Sequence, residues 1–175
     1  MQTGSVLPDT ARIMGWLDDV PDPEIPVVSV TELGIVREVW WEDATLVVAV
    51  TPTYSGCPAT AVIALQIETK LRDMGISDLR IETRLSPPWT TDWITQGARD
   101  KLRDYGIAPP VDGTASGGLA AARAARMGGG GNLVIECPRC GSGDTRRVSQ
   151  FGSTPCKAAY QCQACLEPFD YFKCL

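Results

Sequence analysis

Cysteine carries most of the potential chemistry in this 175-residue chain, and four of its seven cysteines fall into a pattern. Cys137-Pro138-Arg139-Cys140-Gly141 is answered by Cys162-Gln163-Ala164-Cys165. A two-residue gap lets both sulfurs of one knuckle reach a single ion, and the second knuckle completes a tetrahedron. The four therefore read as one metal site, with a redox dithiol or a disulfide framework as the competing reading. Zinc and iron both accept four thiolates in this geometry, so the spacing does not choose between structural zinc and rubredoxin-like iron. A closed four-thiolate site offers no open coordination position, and any reaction chemistry is expected elsewhere in the chain.

A second candidate is Ser55-Gly56-Cys57-Pro58, which opens a strongly helical stretch. Proline favours the first helical position, which would put Cys57 at the cap with its sulfur toward free backbone N–H groups. Such a cysteine is a better nucleophile or soft-metal ligand than a free one. The alternative is a small residue sealing a strand-to-helix turn. Pro21-Asp22-Pro23-Glu24-Ile25-Pro26 is the third candidate. Three prolines in six residues force an extended loop that displays the carboxylates Asp22 and Glu24, or simply a solvated turn. Histidine is absent, which excludes Ser-His or Cys-His catalysis and imidazole metal ligands within the chain.

These candidates need elements to hold them. Ile13, Met14, Trp16 and Leu17 suggest a short helix ending near Val20. Residues 33–41 and 45–50 read as a hairpin turning at Glu42-Asp43-Ala44. Residues 59–74 read as a helix with Ile63, Ile67, Leu71 and Met74 on one face and Gly75 at its end. A strand over 78–83 then completes a βαβ crossover, with 45–50 and 78–83 parallel. Thr90-Thr91-Asp92 can cap a further helix over 93–105. The fold class expected is α/β (α+β): a small mixed-sheet domain over 1–110, a Gly/Ala-rich linker over 111–131 and a four-cysteine zinc ribbon over 132–175. The ribbon should have strands at 146–151, 156–162 and 169–174, too little chain for a hydrophobic core without its metal. If Cys162 faces Pro168 across the sheet, Cys156 faces Cys174, as a disulfide pair, as part of a second metal site, or as two small sheet residues.

Composition narrows the function classes. At 44% hydrophobic and 21% charged the chain is of globular type. Residues 1–110 hold nine Lys/Arg against sixteen Asp/Glu, net −7, whereas residues 132–175 hold five against four. Phosphate contacts need clustered positive charge, so nucleic acid is not an expected partner. No segment approaches the roughly 18 apolar residues of a membrane span, so no membrane role is expected and a cytoplasmic location is.

Asp22-Pro23-Glu24-Ile25-Pro26, Leu33-Gly34-Ile35-Val36 and Thr51-Pro52-Thr53-Tyr54-Ser55-Gly56-Cys57-Pro58 together resemble the MIP18 family, also called the DUF59 domain. Cys156-Lys157-Ala158 and Glu167-Pro168-Phe169-Asp170-Tyr171-Phe172-Lys173-Cys174 bring the resemblance closest to its PaaD branch, accessory components of bacterial phenylacetyl-CoA oxygenase (ring 1,2-epoxidase) systems. The resemblance implies a role in assembling or inserting an iron–sulfur cluster, with Cys57 as the thiol that handles iron or a transient cluster and Asp22 and Glu24 assisting. The implied partner is an iron–sulfur client or an oxygenase component such as the reductase, with a homodimer as a further option. It does not imply that this chain oxidises the substrate. A stable structural subunit of the oxygenase and a rubredoxin-like electron carrier are the alternatives.

Overall fold

The computed structural model describes residues 7–111 and 134–173. The chain divides into two compact units, Met1–Pro88 and Trp89–Leu175. The mixed α+β class follows the sequence reading, but residues 89–110 belong with the cysteine-rich unit rather than with the first. The expected linker lies outside the described residues apart from Val111, as does Cys174.

The first unit is a three-stranded sheet in the order β1–β2–β3, with β1 at Val36–Glu42, β2 at Thr45–Val50 and β3 at Leu79–Thr83. β1 and β2 form the expected antiparallel hairpin, turned at Asp43 with φ of 53°, and β2 runs parallel to β3. Helices α1 (Thr10–Leu17) and α2 (Ala59–Asp73) pack against each other and against the sheet. Leu46, Val47, Val48 and Ala49 are wholly buried, so the central strand is covered on both faces. Opposite the helices, Arg80 reaches Glu42 at 2.9 Å and Arg84 reaches Glu38 at 2.7 Å, spanning β2 from its two neighbours. Arg84 also lies over the Trp40 ring, 4.8 Å from its centroid.

The core face of α2 is Ala59, Ile63, Ile67 and Leu71. Met74, expected on that face, is 41% exposed because it is the C-cap. There the chain turns out of the helix, with Ile76 N–H donating to Leu71 O at 3.0 Å and Gly75 N–H to Arg72 O at 2.9 Å. Among the described residues no helix is long and apolar enough to cross a membrane.

The second unit holds a four-stranded sheet in the order β4–β7–β6–β5: β4 is Ile107–Ala108, β5 Thr145–Ser149, β6 Lys157–Cys162 and β7 Pro168–Phe172. The parallel pairing of β4 with β7 has no counterpart in the sequence reading and explains why 89–110 joins this unit. With it comes a hydrophobic core, contrary to the expectation of a ribbon held by metal alone. Ala108, Ile135, Ala158, Phe169 and Tyr171 cluster with Cys137 and Cys162, and Trp89 packs on Phe172 at 6.0 Å between centroids.

Helix α3 is Gln96–Asp104, capped by Thr95, whose hydroxyl accepts the Ala98 N–H at 3.1 Å. Thr91–Trp93, expected to begin this helix, forms a separate 3-10 turn. Arg99 on α3 is 7% exposed and donates to Pro110 O at 2.6 Å and Thr91 O at 2.9 Å. It satisfies the carbonyls of the chain on either side of the helix, where an uncompensated buried charge would be costly.

Candidate metal centre and thiol loop

The two knuckles share one local conformation. Cys137 N–H donates to Ser142 O and Cys162 N–H to Glu167 O, each at 2.9 Å and each closing the loop five residues on. In each the fifth residue of the loop has a left-handed backbone, Gly141 with φ of 74° and Leu166 with φ of 65°. Glycine adopts that conformation freely, whereas leucine pays a steric cost for it. An Arg139–Glu167 ion pair bridges the knuckles. Gln163 N–H donates to Asp144 O at 2.8 Å, tying the second knuckle to the segment before β5.

This scaffold brings all four sulfurs within 4.8 Å of one another. Cys137 Sγ and Cys165 Sγ are 3.7 Å apart, and Cys140 Sγ and Cys162 Sγ 3.6 Å. A tetrahedron with metal–sulfur bonds of about 2.3 Å has an edge of about 3.8 Å, so one ion fits all four ligands. Cys137 and Cys162 form the buried side of the site, and Cys140 and Cys165 the exposed side.

Without a cation the thiols do not ionise alike. The Cys165 N–H, 3.4 Å from Cys162 Sγ, and then the Ala164 N–H outweigh burial and draw the Cys162 thiol down to about 7. The Ser142 N–H pulls Cys140 the same way, but thiol contacts with Cys165, Cys162 and Cys137, together with desolvation, push it up to about 12. A divalent ion would remove this difference, since Cys137, Cys140, Cys162 and Cys165 would all hold it as thiolates. The donor set suits zinc or iron.

The thiol loop is arranged differently. Cys57 is half-buried and stands just before α2, one residue outside the cap expected for it, because Pro58 is the N-cap. Its N–H donates to Tyr54 O and its carbonyl accepts the Thr60 N–H, both at 3.2 Å. Gly56, with φ of 89° and open space where a Cβ would stand, makes the turn that presents Cys57.

In the proline loop, Asp22 is 6% exposed, and its Oδ1 accepts the N–H groups of Glu24 at 2.9 Å and Ile25 at 2.8 Å. Its own N–H donates to Val28 O at 2.9 Å. Asp22 thus holds the loop closed, while Glu24 is half-buried. Among the described residues no second group of three or more metal-ligating side chains forms, so Cys57, Asp22 and Glu24 do not meet in one such cluster.

A lock that the sequence reading did not pick out follows directly. Ser29 and Glu32 exchange bonds, Ser29 N–H to Glu32 Oε2 at 3.0 Å and Glu32 N–H to Ser29 Oγ at 3.1 Å. This is a capping box on a single turn, and its signal was the Ser-x-x-Glu spacing.

The register across β6 and β7 is one residue from that expected. Gln161, not Cys162, faces Pro168, and Lys157 faces Phe172. Cys162 instead closes its knuckle to Glu167. Cys156 is therefore bonded across the sheet to Lys173, whose N–H donates to Cys156 O at 3.0 Å, and the Cys156 thiol lies 3.0 Å from Thr154 Oγ1.

Two family models divide the chain: "Iron-sulfur cluster assembly protein" matches residues 10–78 and "PaaD zinc beta ribbon domain" matches residues 121–173. The chain is 43% identical over 168 residues to a putative 1,2-phenylacetyl-CoA epoxidase subunit of Escherichia coli K12, covering 96% of this chain and 94% of that protein. The chain belongs to the PaaD family. PaaD-type architecture accounts for both halves, an assembly-type domain containing Cys57 and a ribbon containing the four-cysteine centre. The Fe-S protein maturation auxiliary factor YitW of Bacillus subtilis is 34% identical over 93 residues, covering 52% of this chain and 90% of that protein. A solved DUF59 domain from Bacillus anthracis aligns with a TM-score of 0.49 at 24% identity, covering 53% of this chain and 90% of that one.

Proposed function

We propose that this chain is an iron–sulfur cluster assembly or insertion accessory in aerobic phenylacetate degradation, acting in the cytoplasm on the reductase component of a phenylacetyl-CoA oxygenase. The observation that carries this reading is the pairing of an iron–sulfur assembly match over 10–78 with a PaaD ribbon over 121–173 in one chain. Cys57 is the single cysteine of the assembly-type region, presented half-exposed by the Gly56 turn.

Thiolate is a soft ligand suited to iron. In this reading Cys57 loses its proton as it ligates iron, Asp22 fixes the neighbouring loop, and Glu24 assists. A single thiolate holds a cluster only transiently, which suits delivery rather than storage, since stable clusters take four protein ligands. The ribbon, closed around its ion, serves as a docking module and takes no part in the transfer.

The test is client maturation in cells. Reductase isolated from cells producing Cys57→Ala should contain several-fold less iron and sulfide than reductase from wild-type cells. Equal cluster content in the two would sink the proposal. A second reading, a stable component of the oxygenase itself, is favoured by the Escherichia coli relative, which is named as part of the epoxidase. It requires co-purification at fixed stoichiometry with the oxygenase throughout turnover.

A further inference from the structure

The outer edge of the second sheet is built for pairing. Strand β5 ends that sheet, and no strand among the described residues lies beyond it. Gln163 N–H donates to Asp144 O at 2.8 Å, in the register that sets Arg146 opposite Gln161. The alternation of an antiparallel ladder therefore turns the backbone bonds of Arg146 inward to β6, and the N–H and carbonyl of Arg147 outward. From Arg146 to Ser149 the strand is exposed.

The side chains along this edge are apolar or cationic. Val148 is 62% exposed and Phe151, just past the strand, 61%. Elsewhere in the ribbon Arg139 pairs with Glu167, and Lys157 lies 3.8 Å from Asp170. Arg146 instead donates to the Gln161 amide oxygen at 2.9 Å, and among the described residues no carboxylate forms an ion pair with Arg146 or Arg147.

We infer that the β5 edge docks an extended, carboxylate-bearing segment of a partner protein as an added strand. The inference gives a surface to the docking role proposed for the ribbon, and rests on that role. The outward N–H and carbonyl of Arg147 supply main-chain bonds, and carboxylates of the added strand meet Arg146 on one face and Arg147 on the other. Opposite charges on paired strands attract and like charges repel. A second copy of this edge would set arginine against arginine, so the edge selects an acidic partner over itself. Nucleic acid fits it less well. The two arginines point to opposite faces, where a phosphate chain needs them together, and Lys173 already occupies a face of the Phe151 ring, 4.6 Å from its centroid.

The experiment titrates the full chain into a short dye-labelled peptide of alternating glutamate and valine, blocked at both ends, and follows anisotropy. Wild type should bind saturably, more weakly as salt rises, with amide exchange slowed over residues 145–149. Arg146→Gln/Arg147→Gln should weaken binding about tenfold, whereas Arg103→Glu, an equal change in net charge elsewhere in the same unit, should leave it within about twofold. Proline at two central valines of the peptide removes N–H groups but no charge, and should also cost about tenfold. Each variant is checked for wild-type thermal unfolding.

No saturable binding by wild type, equal binding by the edge variant or of the proline peptide, or tighter binding of single-stranded DNA of the same charge would overturn the inference. Reductase from cells producing the edge variant should also lose cluster content several-fold. Lost peptide binding with unchanged reductase clusters would overturn the docking role proposed for the ribbon and leave the edge as a strand-binding surface for another acidic partner.

Discussion

Asp22→Ala separates a structural role for the proline loop from a ligand role. In the structure Asp22 Oδ1 accepts two backbone N–H groups at 2.9 and 2.8 Å, and the residue is 6% exposed. Alanine leaves both donors without their acceptor in a place water reaches poorly. An orphaned buried donor costs about 1–3 kcal/mol. One of the two donors, on Glu24, is only part-buried, so the expected loss is about 2–4 kcal/mol. Asp22→Asn keeps an acceptor oxygen but loses charge assistance, and should cost only about 1 kcal/mol. Urea unfolding followed by fluorescence reads this out, because Trp16, Trp40 and Trp41 lie in the same unit as the loop. An Asp22→Ala variant as stable as wild type within about 0.5 kcal/mol, yet unable to acquire iron, would refute the loop-lock reasoning and make Asp22 a ligand.

Other outcomes follow from the same geometry. Ile67, wholly buried at the centre of α2, should lose about 2–5 kcal/mol on replacement by alanine, read by the same unfolding assay. Cys140→Ser should abolish stoichiometric metal binding and lower thermal stability of the ribbon, measured by metal analysis and calorimetry, while α1 and α2 keep their helical signal because they belong to the other unit. Ribbon metal affinity should fall as pH falls, since each ligand binds as thiolate. Cys140, pushed up to about 12, must release its proton on binding throughout the neutral range. Cys162, held near 7, adds a further proton only as pH drops through that value, so the fall should steepen below pH 7. Chelator competition between pH 6 and 8.5 measures the slope, and a slope unchanged across pH 7 would contradict the assignment.

Much of this architecture was legible in sequence because the signals are local. Two Cys-x-x-Cys knuckles specify a tetrahedron by spacing alone, the unbroken apolar run of β2 marks a strand, and the apolar row of α2 specifies a helix by its period. What escaped was long-range or set by cap geometry. A two-residue strand, Ile107–Ala108, has too few residues for periodicity, yet its pairing with β7 moves residues 89–110 into the second unit. The β6–β7 register slipped by one because the second knuckle takes Cys162 for its own closure to Glu167. Cys57 lies one residue outside its expected cap because Pro58 is the N-cap. Residue type left Asp22 open between ligand and turn, and only its two bonds to the loop's N–H groups show what the carboxylate does. The burial of Arg99 had no sequence signal, because its carbonyl partners lie eight and eleven residues away in irregular chain.

The central claim, that Cys57 handles an iron–sulfur cluster while the four-cysteine centre holds a resident ion, is tested most directly by counting zinc, iron and acid-labile sulfide in wild type beside Cys57→Ala, each loaded anaerobically with iron and sulfide immediately before measurement. The account predicts one ion per chain at the four-cysteine site in both proteins, and sulfide with accompanying iron in wild type only. Equal sulfide in the two proteins would contradict it.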